Sequence, residues 1–271
     1  MEYRALDVEE LRSALVEPSG PVAGLDVVER TGSTNADLSK AALAGAPDRT
    51  VLVAELQESG RGRLDRRWTS PFGAGVTVSV LLRPTAVPQA RWGWLPLLTG
   101  LSLLHTVREL TSVQAALKWP NDLLVGPDGA KCAGLLAEVA APGAVVLGIG
   151  LNVRTTPEQL PEGANATSLL IEGADLRRED VLIAFLRRLL ADEARWRAAG
   201  GDPDAVGLWD DYRAGCATIG SRVRIEQPGG ETNEATAIDV DRDGRLLVRD
   251  SVSGDTRAVA AGDVVHLRAI S

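Results

Sequence analysis

Between Lys131 and Val153 the chain holds two strand-like apolar stretches almost end to end. Lys131-Cys132-Ala133-Gly134-Leu135-Leu136-Ala137-Glu138-Val139-Ala140 is followed, after only Ala141-Pro142-Gly143, by Ala144-Val145-Val146-Leu147-Gly148-Ile149-Gly150-Leu151-Asn152-Val153. A link this short joins neighbouring antiparallel strands and little else. Further strand patterns cover Leu25–Val28, Thr50–Gln57, Gly75–Leu82, Ala115–Trp119 and Asp122–Val125, the last leading through the turn Gly126-Pro127-Asp128-Gly129 into Lys131. Helical patterns alternate with them. Asp7 caps Val8–Val16, with Glu10 placed for a capping-box return, and Pro18-Ser19-Gly20-Pro21 ends that helix. Ala36–Ala44 is closed by Gly45. Gln89–Leu110 is a long helix that Pro96 bends or splits. Arg178–Ala199 carries an apolar face and stops at Gly200-Gly201, and Asp204–Ala214 is a shorter helix. The pattern predicts an α+β architecture, a mixed sheet with helices packed on one face.

From Ile219 the texture changes. Residues 221–226, 234–239, 245–249 and 256–259 alternate or run apolar, separated by Pro228-Gly229-Gly230, Asp241-Arg242-Asp243-Gly244 and Ser253-Gly254-Asp255. That predicts a small antiparallel barrel beginning near residue 216, with Val264, Val265 and Leu267 closing it. The expected division is 1–215 and 216–271.

Composition narrows the functional classes. A formal net charge of −8 over 271 residues argues against a nucleic-acid partner, which needs a dominant basic face. No apolar run is long enough for a bilayer helix, and the first residues lack a signal-peptide core. Two cysteines, Cys132 and Cys216, make neither a disulfide framework nor a metal spacing, and a cytoplasmic setting is expected. Two histidines, His105 and His266, lie far apart and read as structural residues.

Against this acidic background Gly60-Arg61-Gly62-Arg63-Leu64-Asp65-Arg66-Arg67-Trp68 concentrates four arginines and two glycines. Glycine lets backbone approach a ligand, and arginine forks match carboxylates and phosphates. An anion is therefore the expected visitor. Lys131 stands in an apolar strand, where a lone ammonium is costly unless it meets an anion; at a strand edge it would instead keep the hairpin soluble. Ser33, Thr34 and Asn35 stand at a helix start, either as caps or as donors and acceptors for a neutral polar ligand. Gly148-x-Gly150 lacks the third glycine and the following helix of a dinucleotide fingerprint, and no P-loop is present.

Together the blocks Glu29–Asn35, Gly60–Trp68, Lys118-Trp119-Pro120-Asn121-Asp122, Lys131–Glu138 and Gly148–Val153 resemble, in their order, the catalytic module of biotin protein ligases, and the C-terminal strands resemble that family's SH3-like cap. The resemblance covers the chain from about Asp26 onward. It implies the class II synthetase-like catalytic fold and activation of biotin with ATP and Mg²⁺ to biotinyl-5′-AMP. Transfer to a lysine on the biotin carboxyl carrier domain of a carboxylase would follow. The stretch before Leu25 is too short for the DNA-binding head that some members carry, so the form without it is expected.

By the same resemblance Ser33, Thr34 and Asn35 hold the ureido ring. Gln57, Arg61, Arg63 and Lys131 hold biotin or its activated carboxylate, with Arg63 and Lys131 in catalysis. Gly60, Gly62 and Gly134 line it. Arg63, Arg66, Trp68, Asn121 and Asn152 take the adenylate side. Lys118 and Asp122 fall near the phosphates or the incoming lysine, and Asp122 is a candidate for its deprotonation. No residue stands out as a magnesium ligand, since phosphates supply most of that ion's shell. Leu64-Asp65 departs from the family's more Gly-rich or basic pair in this loop. A lipoate or octanoate ligase or transferase of the same fold is the alternative.

Overall fold

The computed structural model describes residues 4–63, 67–227, 230–261 and the backbone of 266–269. Helix α1 is Val8–Leu15, with Asp7 accepting from the Glu10 amide as its cap. The Glu10 side chain does not fold back; it pairs with Arg177 at 2.5 Å. Strand β1 is Gly24–Thr31, and Ser33 caps α2, Thr34–Leu43. Then come β2 Thr50–Gln57, the two-residue β3 Gly60–Arg61 and β4 Arg67–Trp68, and β5 Gly75–Leu82.

The expected helix over 89–110 is split, but not by Pro96. A 3₁₀ turn over Gln89–Gly93 precedes α3, Trp94–Leu110, and Pro96 sits in the first turn of α3. There its missing N–H costs nothing, because first-turn amides have no partner inside the helix. Next are β6 Ala115–Lys118, β7 Asp122–Val125, β8 Ala130–Ala141 and β9 Ala144–Asn152. Helix α4 spans Arg178–Ala198. Helix α5, Leu208–Gly215, starts later than its pattern, after Gly207 at positive φ. Strands β10 Arg222–Glu226, β11 Thr232–Val240, β12 Leu246–Asp250, β13 Thr256–Val259 and β14 His266–Ala269 complete the chain. Val264 and Val265, expected to help close the barrel, lie outside the described residues.

One sheet runs β1-β2-β5-β9-β8-β7-β6. Only β1 and β2 are parallel, so the sheet is mixed. Strand alternation gives its faces different jobs. Val76, Val78, Val80 and Leu82 of β5 join the main core with Leu147, Ile149 and Leu151 of β9 and with α1, α3 and α4. The opposite face is not bare, as a one-faced arrangement would leave it. Helix α2 covers part of it through Leu38 and Ala42 on Leu81, Ala144 and Val146. The rest of that face carries Thr77, Ser79, Gly148 and Gly150, small or polar positions that leave a hollow beside α2. A pair inside the core, Arg178 to Glu55 at 2.6 Å, also receives the Leu6 amide and fastens the N-terminal segment.

The second sheet, β13-β12-β11-β10-β14, is antiparallel, with a register shift in β11 between Ala237 and Asp239. It is tied down by three indoles from the first part of the chain. Trp94 and Trp119 donate Nε1–H to carbonyls in the turn between β11 and β12, Arg242 at 2.7 Å and Gly244 at 3.1 Å, and Trp209 donates to the carbonyl of Val240, the last residue of β11, at 2.7 Å. Gly244 has positive φ, and a Cβ there would press on the Gly93 carbonyl, so glycine is the residue that permits this approach.

Candidate active site

The hollow becomes a cleft of about 820 Å³, open mouth included, between the polar sheet face, the start of α2 and the β3–β4 arginine loop. Its position follows from β5. In Val76-Thr77-Val78-Ser79-Val80 every second residue is polar, and those residues face α2 rather than the core.

At one end the wall is a hydrogen-bonded set. The Thr34 amide donates to Gln57 Oε1 at 2.9 Å, and Thr34 Oγ1 lies 3.0 Å from the same oxygen. Ser79 Oγ lies 2.8 Å from Thr34 Oγ1 and 2.6 Å from Asn35 Oδ1. Asn35 Nδ2 donates to Glu138 Oε2 at 2.6 Å. Ser33 caps α2 through its hydroxyl, so capping is its observed role. Gly148 is required here because any Cβ would strike the Asn35 amide.

Cations line the loop side and the middle of the cleft. Arg61 NH2 is 3.9 Å from Glu138 Oε1, and Arg63 donates to the Ala261 carbonyl. Gly60 has no room for a side chain between Gln57 and the Trp68 carbonyl it pairs with. Trp68 lies across Gly150 and Gly134, with its Nε1 buried and without a hydrogen-bond partner among the described residues. Lys131 Nζ stands 5.8 Å from that ring and 2.6 Å from Asp122 Oδ1.

Lys131 reaches the cleft because β8 is bulged. Asp122 pairs with Gly134 and Leu123 with Ala133, but Leu124 pairs with Lys131, so Cys132 is the extra residue. Without the slip Lys131 would share the core-facing side of Ala133 and Leu135. With it, Cys132 turns into the core and Lys131 into the cleft. Burial pushes the Cys132 thiol far above its usual range, so it is an inert packing residue.

With the geometry described, comparison with known proteins decides the family. Residues 27–155 match the biotin/lipoate A/B protein ligase family, and residues 218–267 match the biotin protein ligase C-terminal domain. The biotin–[acetyl-CoA-carboxylase] ligase of Mycobacterium tuberculosis is 47% identical over 97% of this chain and 96% of its own length. The chain belongs to the biotin protein ligase family. Its fold is also that of the Aquifex aeolicus biotin protein ligase solved with biotin and ATP, at a TM-score of 0.75 and 26% identity over 92% of this chain and all of that one. The bifunctional ligase/repressor BirA of Bacillus subtilis is 32% identical over 82% of this chain and 67% of its own length.

Of the residues the motifs singled out, the cleft gathers most. Ser33, Thr34, Asn35 and Gln57 line its polar end, Arg61, Gly62 and Arg63 its loop side, and Trp68, Asn121, Lys131 and Gly134 its middle. Gly60 backs the wall from behind. Lys118 and Asn152 lie outside the lining. Asn152 instead donates to the Thr167 carbonyl at 3.0 Å and accepts from the Leu169 amide, which anchors the neighbouring loop. Arg66 falls outside the described residues. Motif reading gave no site role to Thr77, Ser79, Glu138, Gly148 or Gly150, although the last three stand inside its blocks. The alternation in β5 and the paired glycines of β9 were the available signals.

Proposed function

We infer that the protein is an ATP-dependent biotin protein ligase. The observation that carries this is the polarity of the cleft, a neutral donor–acceptor wall at Thr34, Asn35 and Gln57 at one end and Lys131 toward the other, with Arg61 and Arg63 along the loop side. Biotin has matching ends, a ureido ring and a carboxylate. That carboxylate attacks the α-phosphorus of ATP, the bond to the bridging oxygen breaks, and pyrophosphate leaves. A carrier lysine amine then attacks the acyl carbon, AMP leaves with the C–O electron pair, and nitrogen loses a proton.

In this reading Lys131, Arg61 and Arg63 offset the charge of carboxylate and phosphate while they react. Trp68 covers the middle of the cleft and keeps water from the mixed anhydride. Asn121 shapes the nucleotide side by holding Leu135, whose carbonyl it meets at 2.8 Å, and Asn152 does so by holding residues 167–169. Among the described residues no three acidic, histidine or cysteine side chains converge on a metal position. Magnesium takes one or two carboxylates and otherwise phosphate and water oxygens. Asp122 fits that demand, and the ion would neutralise the leaving pyrophosphate.

The acceptor, on this reading, is a biotin carboxyl carrier domain, with residues 1–215 as the catalytic unit and 216–271 as the cap. The free, buried Cys132 and Cys216 support a cytoplasmic setting. Mass spectrometry of a carrier domain incubated with the protein, ATP, magnesium and biotin should show one biotinyl group gained. A carrier that stays unmodified, or that takes lipoate in place of biotin, would overturn the assignment.

A further inference from the structure

Lys131 lies just past the point where β8 stops pairing with β9, whose last partners there are Ala133 and Leu151. Residues 165–167 come back to take the place of β9, with Ala166 bridged in parallel to Lys131. The Lys131 amide donates to the Asn165 carbonyl at 3.0 Å, and the Lys131 carbonyl accepts from the Thr167 amide at 2.9 Å. Both backbone polar groups of Lys131 are therefore used by this segment. It grips β8 next to the bulge, where a one-residue change of register would swing the ammonium from the cleft to the core.

Thr167 holds the segment there. It is buried, and its carbonyl accepts from Asn152 Nδ2 at 3.0 Å. Its hydroxyl donates to Glu172 Oε1 at 2.7 Å, since a carboxylate only accepts. The Asn152 carbonyl gathers the Leu169 amide at 3.1 Å and the Cys132 thiol at 3.3 Å, so the bulge residue is fastened at the same place. Glu172 in turn lies against Gly126 in the turn between β7 and β8, where a Cβ would stand 2.1 Å from Glu172 Oε2. Thr167 thus ties Lys131 to the end of β9 and, through Glu172, to the hairpin that precedes it. None of Asn152, Thr167 and Glu172 lines the cleft.

We propose, resting on the ligase reading of the cleft, that Thr167 is a positioning residue that acts on adenylation through Lys131. Without its hydroxyl the Glu172 carboxylate loses that donor, and the segment can shift together with the Lys131 backbone. A misplacement of about 1 Å at a reacting group can cost on the order of 10²-fold in rate. The wall at Thr34, Asn35, Gln57 and Ser79 is held separately. Among the described residues no hydrogen bond joins it to residues 165–172. Rate should therefore suffer and biotin affinity should not.

Single-turnover adenylation, read as pyrophosphate release, and calorimetry with biotin alone test the idea. Thr167→Val keeps the shape and removes the hydroxyl. It should slow adenylation about ten- to a hundred-fold and leave biotin affinity within about threefold. Thr167→Ser, which restores the hydroxyl, should stay within about threefold of wild type. Combined with Lys131→Ala, Thr167→Val should add no more than about twofold to the loss, because the group it acts through is already gone. A merely structural residue would slow the Lys131→Ala protein further. If circular dichroism shows Thr167→Val unfolded, Glu172→Ala removes the same bond from a half-buried position and must give the same results. A normal rate without the hydroxyl, equal losses of rate and biotin affinity, a Ser variant as slow as Val, or losses that multiply in the double variant would each overturn the role. Wild type that forms no adenylate would overturn the ligase reading itself.

Discussion

Lys131 meets Asp122 at 2.6 Å from the adjacent strand by reaching past Gly134, the strand partner of Asp122. A Cβ on Gly134 would stand 3.4 Å from both Lys131 Cε and Nζ. The ammonium is therefore held by a neighbour's carboxylate at the centre of the cleft, ready to exchange that partner for an incoming anion. Lys131→Ala should cut adenylate formation roughly 10²–10³-fold, the usual loss when charge developing at a reacting centre goes unmatched. Pyrophosphate release measured with biotin and ATP gives the rate, and circular dichroism checks the fold. Near-normal turnover would remove Lys131 from the mechanism, and an unfolded variant would make it a structural residue.

Paired glycines separate the two halves of the site. Gly148→Ala drives a Cβ into the Asn35 amide, and Gly150→Ala drives one into the Trp68 indole. The first should raise KM for biotin, and the second should slow adenylation or loosen retention of the intermediate with biotin affinity nearly kept. Calorimetry with biotin alone and single-turnover adenylation separate the two. The same phenotype from both variants would mean that the cleft is not divided in this way.

Much of the fold was legible because local chemistry decided it. Thr50–Gln57 and Gly75–Leu82 match their strands end to end, and Asp7 caps its helix as expected. The face that Lys131 takes was not legible. Its amide donates to the Asn165 carbonyl at 3.0 Å and its carbonyl accepts from Thr167, so the bulge at Cys132 is fixed by a loop more than thirty positions away. Pro96 misled in the opposite direction. Proline reads as a helix breaker unless the start of the helix is known, and here the start lies just ahead of it. The polar wall was half visible: Thr34 and Asn35 stood out, but Glu138 was hidden in a strand whose register only the sheet sets.

Trp119 joins the motif that carries Asn121 and Asp122 to the second sheet. It is fully buried, and its Nε1 donates to Gly244. Trp119→Phe leaves that carbonyl unsatisfied and opens a small void, so a loss of about 1–3 kcal/mol is expected in urea unfolding. Activity should fall less than stability if Trp94 and Trp209 still hold the turn. Unchanged stability would show that this indole contact is dispensable.

The arginine loop is linked to both parts of the molecule. Gly60 and Arg61 pair with Trp68 and Arg67, while Arg63 reaches Ala261. Residues 58–63 carry no large apolar side chain, and clustered like charges oppose their close approach, so local stability there should be low until an adenylate supplies the counter-charge. Hydrogen exchange over 58–63 should slow when biotin and ATP are both present. Equally fast exchange in both states would contradict an ordering loop.

Arg63→Gly tests what that ordering is for. The guanidinium lines the cleft and also docks on Ala261, so its removal frees the loop from the second sheet and takes a cation from the intermediate. A lost charge-assisted hydrogen bond of roughly 1.5–3 kcal/mol corresponds to about ten- to a hundred-fold weaker retention. Biotinyl-AMP that escapes is still an acyl donor and will react with any accessible neutral amine. The variant should therefore biotinylate an unrelated protein such as albumin in a mixture with the carrier, whereas the wild type should label the carrier alone. Biotin blotting of that mixture reads the difference directly. If Arg63→Gly forms adenylate at a normal rate and still leaves albumin unlabelled, retention does not depend on Arg63, and its contact with Ala261 serves only to seat the loop.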